Sequence, residues 1–488
     1  MHDLFALPEI VAAILTTDTL EHSLLRSCLY VNRLFSHEAT RNLWDRCGSG
    51  FPVNTFRNKE PTVYNLANIA SVDVSRAQYY ANCIRELRFI RGAEDWPRIN
   101  EGEQWHKNLL TVHFPILESF TSDGSTSISS GLEMLKTTEP FYDFRPSACS
   151  GLFWHVLRCS PKVKIIDLAL DEPENFEAIK EEAIKFIESA PALSSLSLTY
   201  FYHEGSEFPN QFWPPDVLRS LAELPVFRKL KGQNLSESLL QDLPEGSFPA
   251  LKELATGYTG SVDMLPPLFP HLSVLKLELA KPVRGALAVL ADLSSLTCLD
   301  LTFAEGSTVS GPELIALAYR CPRLTTLNLP SAAVLMMDDP CPRGEFINDT
   351  TIEEFARALP DLQTFSFGLE DRSTLTHQAI ISLARHCPGL GYFHIAADVC
   401  MPDLIEGLMK IGEAPLPDMN FMCFYLPEDA DHTYDNAREL AEELVVRLAP
   451  GLFEFEINEG SESDIEMQDL AEVILSNHEL RESLRNRR

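Results

Sequence analysis

Histidines (13), cysteines (11) and carboxylates (71) give this 488-residue chain ample material for chemistry, so spacing decides what they can do. No Cys-x-x-Cys pair and no His-Glu-x-x-His helix occurs, which leaves no metal-ligand pattern. A Gly-x-x-x-x-Gly-Lys phosphate loop and a Gly-x-Ser-x-Gly nucleophile elbow are also missing. His203-Glu204 and His386-Cys387 are isolated neighbours without ligand spacing. His394 falls on an expected strand, points away from the core and reads as a surface histidine. Between Glu428 and Glu472 lie 15 acidic residues against Arg438 and Arg447. They lack the Asp-x-Asp-x-Asp-Gly spacing of a calcium loop. A solvated acidic flank, or an acidic surface for a basic partner, is the expectation. The chain is therefore expected to be no enzyme, with no catalytic residue, cofactor or metal.

Bulk composition agrees with a binding role. The net charge of −31 opposes nucleic-acid phosphates and anionic lipid. Only a short basic end, Arg481, Arg485, Arg487 and Arg488, runs against it. Hydrophobic residues make up 45% of the chain, enough for a sizeable core. No apolar run approaches the roughly 18 residues of a membrane span. Met1 to Leu15 carries Asp3 and Glu9 and lacks a basic start, which makes it a poor signal peptide. Reduced, core-filling thiols in a cytoplasmic or nuclear protein are expected, without nucleic-acid or membrane partners.

One phrase organises most of the chain. Pro-x-Leu-x-x-Leu-x-Leu, with apolar variants, appears as Pro270…Leu272…Leu275…Leu277, Pro322…Leu324…Leu327…Leu329 and Pro360…Leu362…Phe365…Phe367. Further copies include Leu296…Leu299…Leu301, Leu390…Phe393…Ile395, Met419…Met422…Phe424 and Leu452…Phe455…Ile457. The second and third apolar positions are two residues apart and point inward from a short strand. Helical patterns lie between the phrases. Ser310 caps residues 310–321, with Leu314, Leu317, Ala318 and Cys321 as the buried stripe. Thr376 caps 376–387 with Ile380, Leu383, Ala384 and Cys387, and 350–359 repeat the scheme. Each unit is one strand plus one helix and buries its apolar face only by stacking on neighbours.

The array resembles the leucine-rich repeat solenoid, an α/β horseshoe with strands inside and helices outside, over about residues 84–457. First apolar positions fall at 84, 117, 163, 193, 227, 251, 272, 296, 324, 362, 390, 419 and 452. Their spacings, 21 to 46, scatter around the family's roughly 20–29 residues, with insertions near 121–150 and 331–348. The family's usual Asn or Cys after the third apolar position is mostly absent.

Residues 4–47 lack the phrase. Leu7-Pro8-Glu9-Ile10, Ile14-Leu15, Leu24-Leu25, Cys28, Val31-Asn32-Arg33, Phe35 and Leu43-Trp44 mark three short helices. So small a helical domain calls for a partner surface. This segment resembles an F-box, with Asn32 where the family commonly has Cys. F-box followed by leucine-rich repeats resembles the substrate receptors of Skp–cullin–F-box ubiquitin ligases. The resemblance implies an F-box docked on a Skp-type adaptor, through it a cullin, and a protein substrate held by the repeats. Candidate adaptor contacts are Leu7, Pro8, Ile10, Leu24, Leu25, Val31 and Phe35; some must instead fill the module's own interior. The plain alternative is a helical cap on the first repeat, in a protein-interaction scaffold with no link to ubiquitin.

The expected division is 1–48 for the module, 49–83 for a helical linker, 84–470 for the array and 471–488 for a tail. On the concave face the C-terminal repeats turn aromatic and then acidic. Tyr392, His394, Phe421, Tyr425, Glu454 and Glu456 are the candidate substrate contacts there, because aromatics beside charge make interface hot spots.

Overall fold

The computed structural model describes residues 11, 15, 22–48, 63–90, 108–123, 159–170, 184–200, 213–329, 341–369, 375–412, 414–425, 436–458, 462–476 and 484. The chain forms two compact units, Met1–Gln233 and Asn234–Arg488.

In the first unit, helices His22–Cys28 and Arg33–Leu43 pack face to face. Their interior is Val11, Leu15, Leu25, Cys28, Ala39 and Leu43. Asn32 starts the second helix: its side chain accepts hydrogen bonds from the Leu34 and Phe35 amides at 2.9 and 3.0 Å. That satisfies two of the donors every helix start leaves open. Helices Val63–Val72 and Val74–Ala81 follow. The strands are β1 (Arg46–Gly48), β2 (Glu86–Ile90), β3 (Ser119–Asp123), β4 (Ile165–Leu170), β5 (Ser195–Tyr200) and β6 (Lys229–Leu235). They pair in parallel in chain order. The repeat sheet thus starts inside the segment expected to be the helical module, because β1 pairs with β2. Trp44 also stacks on Tyr80 at 4.7 Å.

The second unit carries the regular repeats. Strands β7 (Glu253–Tyr258), β8 (Val274–Leu279), β9 (Cys298–Thr302), β11 (Thr326–Leu329), β13 (Thr364–Phe367), β14 (Tyr392–Ala396), β15 (Phe421–Tyr425) and β16 (Glu454–Asn458) are parallel neighbours in that order. Two short strands, β10 (Thr308–Ser310) and β12 (Arg343–Glu345), form a separate parallel pair. β12 lies in the expected insertion at 331–348. Helices Gly311–Arg320, Asp349–Ala358, His377–His386 and Met401–Met409 alternate with the strands and pack on one another in succession. The first three match the stripes read from the sequence. Helix Glu462–Ser476 runs across the expected boundary at 470/471.

Every first apolar position of the phrase, from Ile84 to Leu452, is buried. Behind the strands of the second unit Phe355, Phe365, Phe393, Phe424 and Phe455 form a ring-to-ring spine, with centroids 5.6, 6.4, 5.7 and 6.0 Å apart. Such contacts add to the burial of each ring. Just ahead of the strands, one carbonyl per repeat accepts two amides from the next. Thr297 O takes Thr325 N and Thr326 N, and Thr325 O takes Gln363 N and Thr364 N. Where the second residue of the phrase is Ser or Thr, its hydroxyl joins in: Ser194, Ser273, Thr297 and Thr325 each donate to the preceding repeat at 3.0 Å. Cys321 and Cys387 donate their thiols to carbonyls of the preceding repeat, Cys321 to Leu293 O at 3.5 Å and Cys387 to Leu359 O at 3.3 Å.

Candidate partner-binding surfaces

The N-terminal helices divide the expected adaptor contacts by burial. Leu25 faces the module's interior. Phe35 is half-buried and packs on the same cluster. Leu24 is 49% exposed and Val31 61% exposed, beside Tyr30 at 89%. Amides 29–31 close a turn on the carbonyls of 26–28, so the apolar pair Leu24 and Val31 is held by ordered backbone about two turns apart. Apolar side chains held out by a small packed module are free to anchor a partner. Leu7, Pro8 and Ile10 lie outside the described residues.

The second surface is the sheet face opposite the helices in the last three strands. Registered pairing builds two rows across β14, β15 and β16: Tyr392, Phe421 and Glu454, then His394, Cys423 and Glu456. Tyr392 and Phe421 are half-buried, with rings parallel to within 7° and centroids 4.6 Å apart. Burial, with the carboxylates of Glu456 and Glu454 and the Cys423 thiol behind it, pushes the Tyr392 phenol up to about 12. Glu454 is exposed and Glu456 half-exposed. Burial pushes the Glu456 carboxyl above the ordinary carboxylate range; Glu454 adds to the effect, while a hydrogen bond with Cys423 works against it. The side chain of Tyr425 lies outside the described residues; its backbone pairs with Ala396 and Asn458.

His394 corrects the sequence reading. It is only 3% exposed, so it is no surface histidine. Alternation along the strand puts it on the face opposite Phe393 and Ile395, but lying on that face is not the same as reaching water. Its register neighbours Ser366 and Cys423 are equally buried, and the adjoining row carries the Tyr392–Phe421 stack. Burial pushes the imidazole down to about 4, so the ring is neutral at physiological pH. The stack itself has a weak sequence signal, two aromatics at the same position of successive phrases. The burial of His394 has none, since it depends on three-dimensional crowding.

Among the described residues no group of three or more His, Cys, Asp or Glu is placed to hold a metal ion. No helix among them is long and apolar enough to cross a membrane.

No protein-family model matches the chain, and no curated protein matches it. Solved structures with similarity include the yeast Rad7–Elc1 complex, at 13% identity and a TM-score of 0.36, covering 90% of this chain and 94% of that one. A leucine-rich repeat protein, LegL7 from Legionella pneumophila, aligns at 14% identity and a TM-score of 0.29, over 62% of this chain and 96% of its own. The second actin-binding site of leiomodin-1 aligns at 11% identity and a TM-score of 0.24, over 36% of this chain and 95% of its own. In all, 116 chains match.

Proposed function

We propose that this protein is the non-catalytic substrate receptor of a Skp–cullin–F-box ubiquitin ligase, acting in the cytoplasm or nucleus. Its N-terminal helices dock on a Skp-type adaptor, and through it a cullin, while the repeats hold the protein to be modified. The observation that carries this reading is the split of the N-terminal module. Leu25, Cys28, Ala39 and Leu43 complete its interior, yet Leu24 and Val31 stay exposed. A helical pair that only capped the array would gain nothing from exposed apolar anchors. The F-box-like order of Leu7-Pro8, Leu24-Leu25, Val31-Asn32-Arg33 and Leu43-Trp44 supports the same reading.

The test is capture of purified Skp-type adaptor by the full chain, wild type against Leu24→Glu/Val31→Glu. Both positions are exposed, so the variant keeps its fold. Wild-type capture that drops at least tenfold in the variant supports the proposal; absence of wild-type capture refutes it. One observation favours a second reading, a repeat scaffold with an N-terminal cap. Trp44 stacks on Tyr80, and β1 pairs with β2, so the module is built into the start of the sheet. Under that reading Trp44→Ala lowers the stability of the whole chain while no adaptor binds.

A further inference from the structure

The aromatic and acidic residues of β14, β15 and β16 form one patch with a definite chemistry. Tyr392, Phe421 and Glu454 are successive cross-strand partners. Their stack spacing of 4.6 Å matches the distance between neighbouring strands, so the stack runs along the row. The second face of Phe421 is thereby turned toward the strand of Glu454. Glu454 and Glu456 lie two residues apart on one strand and so share a face. The negative charge of Glu454, and beyond it Glu472, acts on Glu456. Among the described residues neither glutamate has a lysine or arginine within ion-pair distance. The arginines that precede them in the chain are spent on the helix before β16, Arg438 on Glu442 and Arg447 on Glu443. Lys276, farther along the row of Glu456, is paired with Asp300 at 3.4 Å. His394 beneath the patch is neutral and adds no positive charge.

Two carboxylates thus share a half-exposed face beside a parallel ring stack, and among the described residues no lysine or arginine is paired with either. We propose that this patch docks a cationic segment of the partner protein, with an arginine or lysine laid on the Tyr392–Phe421 stack and its charge held by Glu454 and Glu456. Ring faces attract cations, and a carboxylate pair suits the fork of a guanidinium. Charge complementarity selects this occupant over an apolar or acidic one, and the chain's net charge of −31 steers it in. The proposal rests on the repeats being the partner-binding part and is independent of any link to a ligase.

The probe is a fluorescein-labelled nona-arginine peptide, titrated by anisotropy against the full chain at physiological salt. A chain this acidic attracts such a peptide everywhere, so the variants carry the decision. Glu454→Gln/Glu456→Gln is expected to weaken binding about tenfold, a loss of about 1.4 kcal/mol. Tyr392→Leu/Phe421→Leu is expected to weaken it by a similar factor at unchanged net charge. Glu353→Gln/Glu406→Gln, on two helix positions paired with Arg357 and Lys410, the first half-exposed and the second exposed, makes the same change of net charge and should stay within about twofold of wild type. The proposal is overturned if wild type does not bind, if the helix variant loses as much as the glutamate variant, or if the aromatic variant binds like wild type. Should the aromatic variant melt early, the near-isosteric glutamate pair against its helix control still decides. Adaptor capture through Leu24 and Val31 is measured separately, so its failure would remove the ligase reading and leave this one standing.

Discussion

At the scale of single residues, burial sets the chemistry. The Cys321 and Cys387 thiols are pushed up to about 11 and about 12 by burial. Both are fully buried and hydrogen-bonded to carbonyls. They are expected to resist iodoacetamide at pH 8 in the folded chain and to react once urea unfolds it, because the thiolate is the nucleophile. Mass spectrometry of the labelled peptides checks this. Their role as core-filling thiols was legible because both sit in the same place ahead of successive phrases. His394 was not. Its folded pKa of about 4 lies below the ordinary histidine value, so the unfolded chain takes up a proton first as pH falls. Its contribution to stability is complete above about pH 6.5 and is lost as pH drops toward about 4. Wild type should therefore lose more stability than His394→Gln between pH 7 and pH 4 in urea titrations. Equal losses would show that the ring is hydrated.

At the scale of elements, local rules place each repeat and a few polar ties lock it to the next. The helix starts at Ser310, Asn348 and Thr376 follow the capping preference, and two of these caps were readable from residue type and spacing. A tie between repeats was not readable: the Asp349 carboxylate accepts the Thr376 amide at 2.8 Å and its hydroxyl at 2.7 Å. Those two residues are far apart in sequence and meet only once the helices stack. Asp349→Ala leaves both donors unsatisfied and should cost about 1–3 kcal/mol in a denaturant titration. The phenylalanine spine was half legible. Each ring was assigned inward by its position in the phrase, but its contact with the next ring is a property of the stack. Phe393→Ala, in mid-spine, should cost about 3–5 kcal/mol by the same measurement. β10 and β12 escaped the sequence reading because three-residue strands carry too little pattern to stand out.

At the scale of the whole molecule, the sequence declares repetition, and repetition fixes a parallel strand-and-helix array in each unit. The partner is less legible, because the face that meets it is free of the core's demands and varies without changing the fold. Burial is what sorts the N-terminal candidates, turning Leu25 inward and leaving Leu24 and Val31 outside. The central claim is that the chain links an adaptor at one end to a target on its repeats. The most direct measurement is retention of a purified cullin on the immobilised full chain, with and without purified Skp-type adaptor. The account predicts cullin retention only when adaptor is present, lost again in Leu24→Glu/Val31→Glu. No retention with adaptor present, or retention unchanged in that variant, would contradict it.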